Sequence, residues 1–204
     1  MPFTYPSAAH SRRHRPDGYT DYTSYKPWLR DEFTFRCVFC LVREVMCPLG
    51  QDDFVVEHLT PKSQRPDLEC DYSNLLYACQ KCNSFKGELG PVLDPCIQAY
   101  GHHLSVKPDG AIEAQTGEGA KLVTICRLDR EQLTEFRRRT MRMLQLAEQQ
   151  PQSQLAMMVR LMILRHPANL PDLGRLKPLR NDREQGVAES YFELRRKGIL
   201  PATY

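Results

Sequence analysis

Two Cys-x-x-Cys pairs, Cys37/Cys40 and Cys79/Cys82, bracket residues 41–78. Four thiolates carried on two such turns make the ligand set of one closed tetrahedral zinc site, so the chain between them must return to where it began. A closed site keeps no position open for water, and a zinc held there serves structure rather than chemistry. The other cysteines, Cys47, Cys70, Cys96 and Cys126, lack partner spacing and read as buried or free thiols. Residues 1–30 contain no apolar run of the kind a secretory leader needs, so a cytoplasmic protein is expected, in which clustered cysteines bind metal rather than pair as disulfides. The most apolar stretch, Leu155 to Leu164, is interrupted by Arg160 and is too short to cross a bilayer.

Composition supports a folded, water-exposed chain: of 204 residues, 41% are hydrophobic and 26% charged. A net charge of +3 permits a polyanionic partner without requiring one. Three regions are expected. Residues 1–25 mix Pro, Ser, Tyr, His and Arg without periodicity and predict a mobile basic arm. Residues 26–95 hold the cysteines and form the core, and residues 96–204 extend it.

In the core, Pro27 opens a short helix whose Trp28, Leu29 and Phe33 share a face. Phe54-Val55-Val56 predicts a strand ending at Glu57-His58. Pro61, Pro66 and Asp67 make a loop around Lys62-Ser63, and Asn74 to Ala78 returns as a second strand into the second cysteine pair. A helix from about Lys81 then carries Asn83 and Lys86 one turn apart until Gly87 ends it. Pro91 to Pro95 closes the region. Asp109-Gly110 between alternating segments predicts a hairpin. His102 and His103 precede it, but adjacent residues of a strand face opposite ways and do not form a ligand pair. Further on, Leu133, Phe136, Thr140, Leu144 and Ala147 trace one face of a helix that Asp129 caps. A second helix carries Leu155, Met158, Val159, Met162 and Ile163, widened by Met157, Leu161 and Leu164, and is expected to be well buried. Val187, Tyr191 and Leu194 suggest a third.

Between and beside the cysteines stand Glu57-His58-Leu59-Thr60-Pro61-Lys62-Ser63, Asn74-Leu75, and Cys82-Asn83-Ser84-Phe85-Lys86-Gly87. This pattern resembles the HNH endonuclease family, in the variant whose last motif residue is asparagine. The resemblance covers about a quarter of the chain. The flanking phrases Tyr22 to Leu29 and Leu93-Asp94-Pro95 are similar to those of bacterial HNH proteins, some of which act in restriction or phage defence. The resemblance implies a ββα-metal core, and with the four-cysteine zinc site, hairpin and helices read above, the chain is expected to be α+β: that core stapled by zinc and followed by a β-hairpin and a helical extension. It also implies hydrolysis of nucleic-acid phosphodiesters, most simply those of DNA.

On that resemblance His58 is the general base that takes a proton from water, and Asn74 holds the histidine's loop and orientation. Asn83 and the acid at Glu57 bind one divalent ion, and amide and carboxylate oxygens favour Mg²⁺ or Mn²⁺ over zinc. The family usually has Asp where this chain has Glu57, whose extra methylene lengthens its reach by roughly 1 Å. Lys62, Lys81, Lys86, Arg137 and Arg138 are candidate phosphate contacts. Two other readings stay open: a zinc-stabilised nucleic-acid-binding protein without turnover, and a protein-interaction subunit of a defence complex. A double-strand break at a one-site nuclease needs two protomers or two successive nicks, which leaves a homodimer or a partner protein open as well.

Overall fold

The computed structural model describes residues 2–204. In chain order its elements are strand β1 (Pro16–Asp17), helix α1 (Lys26–Glu32), strands β2 (Phe54–His58) and β3 (Leu75–Cys79) and helix α2 (Gln80–Lys86). The hairpin β4 (Leu104–Val106) and β5 (Ile112–Ala114) follows, then helices α3 (Gly117–Cys126), α4 (Glu131–Gln149) and α5 (Gln154–Leu164). Strand β6 (Arg180–Asn181) and helices α6 (Glu184–Ala188) and α7 (Tyr191–Arg196) complete the chain. Among the described residues, three separate two-stranded sheets with packed helices make this an α+β protein.

The ββα unit is β2, β3 and α2. β2 and β3 are antiparallel, in a register that sets Phe54 against Cys79 and His58 against Leu75. All five residues of β3 are buried, which suits its apolar run Leu75-Leu76-Tyr77-Ala78: α1 lies on it and α2 grows directly from its end. Phe54 stacks on Tyr77 with ring centres 5.1 Å apart. Gly87 ends α2 at a φ of 50°, where a Cβ would be strained. The first cysteine pair is tied to this unit by Val38 N–H, which donates to the Tyr77 carbonyl at 2.9 Å.

The N-terminal segment is not the mobile arm its composition suggests. Phe3, Tyr5, His14 and Tyr25 are buried in the core. The cause is a pair of carboxylates at the end of α1, Asp31 and Glu32, that are both fully buried. Glu32 accepts from His10 Nε2, from the backbone N–H groups of Arg13 and His14, and from the Tyr72 hydroxyl, at 2.8 to 3.2 Å. Asp31 accepts from Arg13 Nη2 and His14 Nε2 at 3.0 and 2.8 Å. A buried carboxylate must be paired, and these two recruit the basic residues that looked solvated. β1 then pairs with β6, so the N-terminal segment meets the stretch before the last helices.

The hairpin forms around Asp109-Gly110 as its turn chemistry predicts. α3 was not expected, and Thr116 caps it by accepting from Gly119 N–H. α4 begins at Glu131, two residues beyond the expected cap. The expected burial of α5 fails. Ala156 and Ile163 are buried, but Leu155, Met157, Met158, Leu161 and Met162 are exposed, because α4 and the turn at Glu44–Met46 on which α5 packs leave the rest of its surface uncovered. The expected third helix is two short ones, α6 and α7, joined at Ser190, whose hydroxyl accepts from Glu193 N–H. Among the described residues, no helix is long and apolar enough to cross a membrane.

Candidate active site and metal centre

The four predicted sulfurs converge. One ligand atom from each of Cys37, Cys40, Cys79 and Cys82 lies within 4.8 Å of all the others, and every one of these residues is buried. A tetrahedron with Zn–S bonds of about 2.3 Å has edges of about 3.8 Å, and Cys40 Sγ and Cys79 Sγ stand 3.7 Å apart. The donor set and spacing fit a structural zinc. Arg130 Nη2 approaches Cys82 Sγ at 3.9 Å and brings positive charge to the thiolate cluster.

Cys79 ends β3 and Cys82 sits in the first turn of α2, so the metal clip fixes the start of the helix that carries Asn83. Asn83 lines an open cavity of about 510 Å³ together with Glu57 and His58 from the end of β2. The structure thus brings these three predicted site residues to one surface depression.

His58 Nε2 is 2.9 Å from the Glu69 carbonyl oxygen. A carbonyl only accepts, so Nε2 carries the proton and Nδ1 keeps the lone pair. Burial pushes the His58 pKa below its ordinary 6.5, and the charges of Lys62 and Lys86 act in the same direction against the Glu69 carbonyl. That shift favours the neutral imidazole. Tyr22 meets it edge-on with ring centres 4.8 Å apart, and Lys62 Nζ lies 5.0 Å from the centre of the Tyr22 ring.

Asn74 joins the two ends of the loop that follows β2. Its Oδ1 accepts from Thr60 N–H at 2.8 Å, and its Nδ2 donates to the carbonyls of Thr60 and Leu68 at 3.0 and 3.3 Å. Its backbone carbonyl accepts from Leu59 N–H at 2.8 Å. The side-chain bonds run to the backbone of Thr60, which follows His58, and of Leu68, which precedes Glu69.

Glu57 is buried and divides its oxygens. Oε1 accepts from His58 N–H at 2.8 Å and from Lys86 Nζ at 3.1 Å. Oε2 is buried and has no hydrogen-bond partner among the described residues. Burial pushes the Glu57 pKa up, while the Lys86 charge and its hydrogen bond, with the His58 N–H, pull it down; burial prevails. Glu57 and Asn83 both line the cavity, and a carboxylate and an amide oxygen are donors of the kind that Mg²⁺ or Mn²⁺ takes.

The basic candidates separate. Lys62 is exposed at the cavity rim and pairs with Glu69 at 3.1 Å. Lys81 lies in a different groove, with Phe85 and Phe136. Lys86 is fully buried against Glu57, which removes it from phosphate contact. Arg137 is fully buried as well and donates to the Leu128 carbonyl at 2.9 Å, so it too is corrected from phosphate ligand to core residue. Arg138 is exposed and, like Arg139, pairs with Glu135. Sequence reasoning passed over Tyr22, Thr23 and Lys26, which form a wall of the His58 cavity. Their only signal was the flanking phrase from Tyr22 to Leu29.

Residues 37–88 match the family model described as HNH endonuclease. The Septu protein PtuB of Bacillus thuringiensis is 30% identical over 77 residues, which cover 35% of this chain and 28% of that protein. The chain therefore spans less than a third of the length of the curated relative it matches. Residues 37–88 are an HNH domain, and its ββα unit with the four clustered cysteines is the frame of the site described above.

Proposed function

We propose that the chain is a metal-dependent endonuclease that hydrolyses DNA phosphodiester bonds. The observation that carries this is the fixed tautomer of His58: Nε2 is committed to the Glu69 carbonyl while Nδ1 keeps its lone pair, in a cavity shared with Glu57 and Asn83. Uncatalysed phosphodiester hydrolysis is slow enough that on the order of 20 kcal/mol must come off the barrier. A positioned base contributes part of that.

His58 Nδ1 takes a proton from a water, and the water oxygen attacks phosphorus as the bond to the leaving sugar oxygen breaks. Asn74 keeps the imidazole aimed by bracing both ends of its loop. Tyr22 packs on the ring and limits its rotation. Glu57 Oε2 and the Asn83 amide oxygen would hold one Mg²⁺ or Mn²⁺, which supplies charge stabilisation at the scissile phosphate and the leaving oxygen. Lys62, and Lys26 on the same wall, offer the phosphate backbone positive charge at the rim. The core of this enzyme is taken as residues 26–95 with the N-terminal segment packed on it, and residues 96–204 as an extension. A cytoplasmic role in restriction or phage defence is proposed from the flanking resemblance and the likeness to the Septu protein.

The pairing of Lys86 with Glu57 favours one competing reading. A lysine that already neutralises the acid suits a nucleic-acid-binding protein without turnover. Supercoiled plasmid separates the two. Wild-type protein with Mg²⁺ or Mn²⁺ should nick it, and EDTA or His58→Ala should stop the reaction. Equal cleavage by wild type and His58→Ala would overturn the nuclease assignment to this site. Salt-sensitive DNA binding without cleavage would establish the second reading.

A further inference from the structure

α5 carries apolar side chains around nearly its whole circumference. Ala156 and Ile163 are buried on α4, while Leu155, Met157, Met158, Leu161 and Met162 are 37% to 70% exposed. At 100° per residue, Leu155, Met158 and Met162 form one stripe at i, i+3 and i+7, with Leu161 and Met157 along its edge, opposite the buried side. On the adjoining α4, Met143 and Leu146 are exposed by 42% and 48%. Isolated exposed apolar residues are ordinary, but a contiguous stripe is not. A helix apolar all round belongs to an interior.

We infer that a second copy of this chain covers this face, with α5 packed on its symmetry mate across a two-fold axis to form a four-helix cluster with both α4 helices. Three observations favour a second copy as occupant. The seven exposed side chains present on the order of 700 Å² per protomer, close to the roughly 800 Å² per partner of a standard interface, so no larger partner is needed to cover them. A two-fold contact requires a patch complementary to itself. The stripe meets that requirement because it holds no charge: Arg160, the charged residue within α5, is half-buried on another side and donates to the Pro151 carbonyl at 3.5 Å. Within the α5 stripe no like charges would face each other. Methionines supply most of the contact, and their unbranched side chains re-pack readily against copies of themselves. The pairing would put two HNH domains in one particle, and it stands whether or not they cleave DNA.

Sedimentation velocity of the full zinc-loaded chain across micromolar concentrations tests the interface. The expected species has twice the 23.6 kDa chain mass. Met158→Glu combined with Met162→Glu should yield monomer with unchanged zinc content and helicity. Should that variant misfold, Met158→Gln with Met162→Gln places milder polar groups on the same stripe and should still raise the dimer dissociation constant at least tenfold. Ile97→Glu, at a residue 73% exposed outside the helical hairpin, should leave the dimer intact. A wild-type chain that stays monomeric throughout, or a dimer that survives the stripe variants, would overturn the inference.

Discussion

Lys86 Nζ lies 3.1 Å from Glu57 Oε1, and both side chains are withdrawn from solvent. Lys86 comes from the last turn of α2 and Glu57 from β2, so the contact ties the helix of the ββα unit to its hairpin. It also divides the acid: Oε1 accepts from Lys86 and from the His58 N–H, while Oε2 has no hydrogen-bond partner among the described residues.

Replacing one member of a buried ion pair strands the other, at a cost of about 3–5 kcal/mol. Lys86→Met is therefore expected to lower the melting temperature. Its loss should also grow as the pH rises, because without the Lys86 charge and hydrogen bond, which pull the Glu57 pKa down against burial, the buried acid must ionise unpaired. Divalent cations at neutral pH should restore more stability to the variant than they add to wild type, by taking over the role of the ammonium. Calorimetric scans with and without Mn²⁺ decide this. An equal shift in both proteins would remove Glu57 from the metal site.

Activity should follow the neutral form of His58. Burial, with Lys62 and Lys86 nearby, holds its pKa below 6.5, so kcat/KM should rise with pH and level off with its midpoint below that value. The same shift is a stability statement. A histidine buried in the neutral form supports the fold above pH 6.5, and that support is lost as acid protonates it. A midpoint at or above 6.5 would mean that His58 does not limit the rate as a base.

The zinc frame and the ββα order were legible because they are local: cysteine spacing, a β-branched run and a glycine stop act over a few residues. The places of Glu57 and His58 at the end of a strand and of Asn83 in the following helix were legible for the same reason, whereas the roles expected of them came from the family resemblance. What escaped depended on distant partners. Asp31 and Glu32 look like solvated helix residues until His10, Arg13 and His14 fold onto them. Arg137 sits in a run of three arginines, and only the packing of α4 separates it from exposed Arg138 and Arg139. α5 misled in the opposite sense, since periodicity reports an apolar helix but not whether this chain alone supplies enough surface to cover it.

Removing zinc should unfold the site rather than merely slow it. Cys79 and Cys82 span the junction of β3 and α2, and structural zinc in small domains contributes on the order of 10 kcal/mol of folding free energy. Cys79→Ser, or a strong chelator on wild type, is expected to abolish the cooperative melt of the core and to release one zinc per chain. A Cys79→Ser protein that melts like wild type and still retains one zinc would show that the ion sits elsewhere.

Glu32 governs the seating of the N-terminal segment. Burial alone would push its pKa up, but the His10 hydrogen bond, the Arg13 N–H and the charges of His14 and His10 outweigh that and hold it down at about 2, against an ordinary 4.5. A carboxylate depressed by that much supports the folded state by about 3 kcal/mol above pH 4.5 and loses that support as the pH falls toward 2. Glu32→Gln removes the charge while keeping the shape. Its destabilisation should therefore be largest at neutral pH and shrink below pH 4.5, where wild type loses the same interaction. The variant should also free the residues that Glu32 gathers, His10, Arg13 and His14, together with Arg12, which reaches over to the Ser73 and Leu75 carbonyls at the start of β3. Trypsin reports that release directly. Cleavage after Arg12 or Arg13 should be at least tenfold faster in Glu32→Gln than in wild type at neutral pH, whereas equal rates would mean that the burial of Phe3 and Tyr5 holds the segment without the carboxylate.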